Sequence, residues 1–347
     1  MTPIHTRPLA VAVLLCGTAA AAPAALAQEV VLTMHHLLGP TSAAQTTYLQ
    51  PWADRVFEQS EGRILVEIYP SMSLGGAPPD LYNQVRDGTV DLVWTVTGYT
   101  PGVFVRSEVF ELPFVHFGSA EVTNQAIQDI YDEYLAEDFA DVHPILVHVH
   151  AGQAIHTVDR AVRGLADLAG LKLRTPSRTG AWMIEAWGAE PVGMPVPELP
   201  QALARGTVDG ALIPFEVAVP LNVHELTNYS IEGPDSLRFG TAVFLFAMNT
   251  ESYESLPDDL KAVIDANSGA AIAAEVGAVW DENEVPTREA TEASGSEMIV
   301  LDEAAAAEIE AALTPVQQRW VEEVSAGGID GAALLQAAKD AVAAHSE

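Results

Sequence analysis

Residues 170–210 read GLKLRTPSRTGAWMIEAWGAEPVGMPVPELPQALARGTVDG, and the fold class follows from this stretch. Leu171, Lys172, Leu173 and Arg174 alternate apolar and basic side chains, the period of a strand with one buried face. Thr175-Pro176 stops the strand, because proline cannot donate to a ladder. Arg174 therefore falls at a strand's carboxyl end, the edge that faces the ligand crevice in open α/β sheets. A planar guanidinium there suits two-point capture of a carboxylate. The alternative is a surface arginine paired with a nearby acid.

The end of the stretch has a counterpart earlier in the chain. LYNQVRDGTVD at 81–91 and LPQALARGTVD at 199–209 share a helix, a glycine to cap it and a Thr-Val-Asp entry into a strand. One such unit per lobe predicts two similar α/β lobes around a single crevice. Working outward, Val30 to Met34 alternates as an opening strand, and Pro40-Thr41-Ser42 starts a helix running to about Ser60. Strands follow at Ile64 to Tyr69 and Val90 to Thr95, with a helix at Asp80 to Asp87 between them. The order β-α-β-α-β implies parallel strands with helices on both faces. A helix at about Ala120 to Phe139 and a strand at Ile145 to His150 come next, and Thr241 to Met248 is apolar enough for a buried strand returning to the first lobe. Asp258 to about Ala293 is expected as one long spine helix kinked at Pro286, followed by a short strand at Met298 to Leu301 and two alanine-rich helices. The expected division is lobe I over 28–150 plus about 240–280, and lobe II over 151–239 plus about 281–347.

Composition narrows the partners. At roughly 150 residues per domain, 347 residues predict two domains, and 49% hydrophobic residues suffice for two cores. A net charge of −32 and a pI near 4.4 argue against nucleic acid or an anionic membrane. Only Lys172, Lys261 and Lys339 are lysines, so an anionic ligand must be held by local, buried donors. Residues 1–27 carry Arg7, an apolar run from Leu9 to Ala22 and Ala25-Leu26-Ala27, the pattern of a secretory leader cleaved before Gln28. The mature chain is expected in the periplasm without direct membrane insertion. Cys16, the only cysteine, leaves with the leader, which removes disulfides and thiolate sites from consideration.

No phosphate-binding, dinucleotide-binding, zinc-protease or nucleophile-elbow motif is present, and no cofactor is expected. His148 and His150 share a strand face, with His143 and His156 near in sequence, and are the one metal candidate; a lone H-x-H is more often structural. Trp94, Tyr99 and Phe104 cluster after the third strand, where Tyr99 in its Gly/Pro loop is the better ligand contact. One of Trp182 and Trp187 is expected to face the crevice.

Six stretches together resemble a known family: EGRILVEIYPSMSLGG at 61–76, QVRDGTVDLVW at 84–94, VFELPFV at 109–115, GLADLAGLKLRTP at 164–176, GAEPVGMPVPELPQALARGTVDGA at 188–211 and MNTESYESLPDDLK at 248–261. They are similar, in order, to the solute receptors of tripartite ATP-independent periplasmic (TRAP) transporters. The resemblance implies a two-lobe clamshell with crossing strands and a spine helix, closing on a small organic anion for delivery to a membrane permease. It places the family's carboxylate-binding arginine at Arg174. Ala154 and Ile213 stand where many sialic-acid-type members have an arginine and an asparagine. Those losses favour a compact monocarboxylate with an apolar or aromatic body over a sugar acid or C4-dicarboxylate. Trp94, Tyr99, Ile213 and Phe215 are expected to pack that body, and Gln153, His36 or Thr97 to hydrogen-bond it. Arg178, four residues after Arg174, could reach inward to serve a second carboxylate, and Glu216 is the other residue expected at the site in that case. An exported metal-dependent hydrolase built on His148 and His150, and an interaction protein without a small ligand, are the readings from other classes.

Overall fold

A computed structural model describes residues 28–346, so the leader and Cys16 lie outside the described residues. Eleven strands are described: β1 (Val30–His36), β2 (Ile64–Tyr69), β3 (Leu92–Val96), β4 (His143–Val149), β5 (Ala154–Thr157), β6 (Lys172–Thr175), β7 (Glu190–Gly193), β8 (Gly210–Ile213), β9 (Tyr229–Glu232), β10 (Val243–Met248) and β11 (Glu297–Val300). They form two sheets, of order β2-β1-β3-β10-β4 and β11-β9-β5-β8-β6-β7. β1 pairs parallel with β2 and β3, as the alternation of strands and helices predicts, and β10 returns antiparallel to β3 and β4. In the second sheet β6 pairs parallel with β7 and β8, while β5 runs antiparallel to β8 and β9.

The repeated unit does the same work in both sheets. Gly88 (φ +71°) and Gly206 (φ +65°) end their helices in the left-handed region that glycine enters without penalty. Asp91 then accepts the Thr33 N–H at 2.8 Å, and Asp209 accepts the Lys172 N–H at 2.8 Å. Each aspartate thus pins the entry of its strand to the neighbouring parallel strand, β3 to β1 and β8 to β6. Besides the helical connection from β10 to β11, two short links pass between the sheets: β4 to β5 through 150–153, and β9 to β10 through 233–242. They pair with each other through Gln153 N–H to Gly240 O and Phe239 N–H to Gln153 O, both 2.8 Å.

The expected single helix from Asp258 to Ala293 is broken. One helix ends at Ala266 and the spine helix begins at Ala273. Asn267-Ser268-Gly269 supplies the stop: Gly269 has φ +55° and the Asn267 carbonyl accepts the Trp52 indole N–H at 2.8 Å. Pro286 lies inside the spine helix. That helix packs so closely on Ala120–Ile130 that a Cβ on Gly277 would stand 2.3 Å from Glu121 Cα. Its other side meets Phe215–Ala218 of the second sheet's layer. Three helices finish the chain, rather than two: Glu303–Ala312, Thr314–Ala326 and Gly331–His345. The last packs on Ala120–Ile130, on the first sheet's side.

Buried ions tie the spine helix to the second sheet. Glu232 on β9 receives Arg238 at 2.6 Å and Arg288 at 2.5 Å, and Arg238 also reaches Glu284 at 3.3 Å. Glu284 in turn accepts the Glu216 N–H at 2.9 Å, which fixes the turn that follows β8.

Candidate functional site

A cavity lies where the carboxyl ends of the parallel strands of both sheets meet. Leu37 and Leu38 follow β1, Trp94, Val96 and Tyr99 belong to β3 and its loop, Arg174 and Pro176 end β6, and Leu212, Ile213 and Pro214 end β8. The crossing links add His150, Gln153 and Ala242, β10 adds Phe244, and Glu216 and Val217 come from the turn after β8.

Arg174 is 2% exposed. Its Nε donates to Met194 O at 2.9 Å, Nη1 to Leu212 O at 3.3 Å and Nη2 to the Tyr99 hydroxyl at 3.1 Å; among the described residues none of its bonds goes to a carboxylate. Three of five guanidinium N–H groups are thereby used, leaving one on each terminal nitrogen. Burial pulls the guanidinium below its ordinary pKa, against the raising influence of Tyr99 and Glu198. An anion in the cavity would relieve this desolvated cation. Tyr99 accepts from Arg174 and, at 2.8 Å, from the Val196 N–H, so its own proton is free to donate. Three donors therefore converge on one place: two N–H groups of Arg174 and the phenol of Tyr99.

The walls are apolar. Trp94 stacks on Phe244 with ring centroids 4.8 Å apart, and its indole N–H is turned away to His148 Nε2 at 2.9 Å. The two sheets' elements close tightly over the cavity. A Cβ on Gly98 would meet Ser177 Cβ at 2.7 Å and Pro176 O at 2.8 Å, so only glycine permits this approach. Glu108 grips Arg178 through two bonds of 2.6 Å, and Glu111 bridges the Val243 N–H, at 3.1 Å, to the Thr179 hydroxyl. Burial pushes the Glu111 carboxyl up to about 7.

Of the residues expected at the site, Arg174, Trp94, Tyr99, Gln153, Ile213 and Glu216 line the cavity, and the others do not. Thr97 donates its hydroxyl to Val243 O at 3.0 Å. His36 is bonded to Gln45 at 2.6 Å and stands edge-on to Trp94 from behind. Phe215 packs between the His156 ring and the Arg238 guanidinium. Arg178 is occupied by Glu108 and, at 2.9 Å, Glu323, and lies over Trp182, so it supplies no second cation. Neither Trp182 nor Trp187 faces the cavity; Trp187 donates to Ile309 O at 3.2 Å. Of the histidines of the metal reading, His148 is structural: it bonds Trp94 and, at 3.2 Å, Val149 O, and burial lowers its pKa to about 3. Among the described residues no group of three or more His, Cys, Asp or Glu is placed to hold a metal ion. Among the lining residues missed as ligand contacts are His150 and Phe244. His150 carried a signal, being beside Gln153, while Phe244 sits in a strand buried on both faces and carried none.

The model of bacterial extracellular solute-binding protein, family 7, matches residues 34–323. A TRAP solute-binding protein from an unidentified marine-metagenome microbe, described as specific for aromatic acids and solved with 3-hydroxybenzoate, is 42% identical. The match covers 92% of this chain and all of that one, with a TM-score of 0.90. A Rhodoferax ferrireducens TRAP solute-binding protein with copurified benzoate is 39% identical over 91% of this chain and 98% of its own, with a TM-score of 0.89. A Bordetella bronchiseptica relative with bound mandelate is 26% identical over 90% and 98%, with a TM-score of 0.83.

Proposed function

This chain belongs to family 7 of the bacterial extracellular solute-binding proteins, and from that premise we propose that it captures an aromatic monocarboxylate and hands it to a TRAP membrane permease. Receptors for small organic carboxylates are what its relatives are, and the fold here is theirs. The observation that carries the ligand class is Arg174, a buried cation with two unused N–H groups and no carboxylate partner, at one end of an apolar cavity. Its guanidinium and the Tyr99 hydroxyl bind the ligand carboxylate, while Trp94, Ile213 and Phe244 cover the ring. The aromatic acids bound by the relatives support this reading. A hexuronate would leave hydroxyls facing Ile213 and Leu212 without partners, at roughly 1–3 kcal/mol for each buried group. Succinate would bring a second charge to a site whose neighbouring arginines, Arg178 and Arg238, are already paired with carboxylates. Because Arg174 is buried, entry requires the Gly98–Ser177 and Glu108–Arg178 contacts to part, the hinge motion usual in such receptors. The leader and the family together support a periplasmic location.

Thermal denaturation with added ligand tests the ligand class. A ligand at a hundred times its Kd adds about 2.7 kcal/mol, so benzoate is expected to raise the melting temperature by several degrees. Succinate and glucuronate at the same concentration are expected to raise it much less. A larger rise with either would overturn the aromatic assignment.

A further inference from the structure

The end of the cavity away from Arg174 holds polar atoms that the carboxylate clamp does not use. β8 lies between β6 and β5, with Arg174 in register with Ala211 and Ala154 with Ile213. Gln153, which precedes Ala154, therefore lies beyond that last pair, two strands across from Arg174 and three positions further along β8 than Ala211, and both side chains line the one cavity. Gln153 is 3% exposed, and its Oε1 is buried with no hydrogen-bond partner among the described residues. Its backbone is clamped on both sides, so the amide cannot swing out to solvent without breaking the crossing links.

His150 supplies the complementary donor. Its Nδ1 accepts the Gly152 N–H at 2.9 Å. Burial, reinforced by His116, His148, Arg174 and Arg238, holds the ring well below its ordinary pKa and so neutral. A neutral imidazole that accepts at Nδ1 carries its proton on Nε2. Glu216 also lines the cavity, 4% exposed, and its carboxyl makes no hydrogen bond to a side chain or backbone group among the described residues.

We infer that Gln153 and His150 form a second polar subsite that binds a hydroxyl group on the ring of the aromatic acid. The inference rests on the aromatic monocarboxylate reading. A hydroxyl donates one hydrogen bond and accepts two, so it gives its proton to Gln153 Oε1 and accepts from His150 Nε2–H. A carboxylate has no proton to give Gln153, and Glu216, its carboxyl pushed well above the ordinary range by burial and by Glu284, offers no cation to balance it.

Calorimetric titration of the full mature chain with benzoate, 3-hydroxybenzoate, 4-hydroxybenzoate and isophthalate tests the subsite. One hydroxybenzoate isomer is expected to bind about tenfold more tightly than benzoate, and isophthalate at least tenfold more weakly; tenfold is about 1.4 kcal/mol. In Gln153→Leu the ratio of hydroxybenzoate to benzoate affinity is expected to fall to about one. If benzoate binds and neither hydroxybenzoate binds more tightly, water already satisfies Gln153 and the subsite is refuted while the receptor reading stands. The same holds if the preference survives Gln153→Leu. If none of the four acids binds, the aromatic reading fails and the subsite fails with it.

Discussion

Arg174→Lys is expected to weaken benzoate binding by a hundredfold or more while the protein remains folded. Lysine keeps the charge but replaces a planar five-donor fork with a single ammonium on a flexible stem. It cannot satisfy Met194 O, Leu212 O and the Tyr99 hydroxyl and still present two parallel N–H groups to a carboxylate. Removing one partner of a buried, hydrogen-bonded charge pair costs about 2–5 kcal/mol, or roughly 30- to 5,000-fold in affinity. Because the cation stands without a carboxylate of its own, this loss falls on the complex more than on the free protein. Calorimetry gives the affinity and far-UV circular dichroism the fold. An unchanged affinity would mean that Arg174 only braces the backbones of β8 and of the segment after β7.

The second large effect is on stability. Glu232→Ala is expected to lower the unfolding free energy by about 3–5 kcal/mol, the usual loss when one member of a buried ion pair is removed. Glu232 is 2% exposed and holds both Arg238 and Arg288; without it Arg238, itself 6% exposed, keeps only Glu284 at 3.3 Å. Glu284 is a poor substitute, since burial pushes its carboxyl up to about 7 and it also carries the Glu216 N–H. Urea unfolding followed by fluorescence and by circular dichroism measures the loss. A change below about 1 kcal/mol would place the group among solvent-screened surface pairs.

What the sequence disclosed was whatever depends on local order. Arg174 was legible because strand alternation and the Pro176 stop fix its position at a strand end, whatever the strand pairs with. Tyr99 was legible from the glycine and proline around it. The helix–glycine–strand echo also held, down to aspartates that pin equivalent strands. Arg178 shows the limit: four residues from Arg174 and chemically identical, it is taken out of use by Glu108, 70 positions away. Phe244 and Phe215 show another, since in a strand or turn buried on every side no alternation marks which residue meets the cavity. The broken helix was readable in Asn267-Ser268-Gly269.

The most direct measurement is a crystal structure of the complex with benzoate. The carboxylate oxygens are expected at hydrogen-bond distance, about 2.7–3.1 Å, from both terminal nitrogens of Arg174 and from the Tyr99 hydroxyl, with the ring against Trp94 and Phe244 and the lobes closed. A benzoate whose carboxylate lies elsewhere, with Arg174 still bonded only to Met194, Leu212 and Tyr99, would contradict the account at its centre.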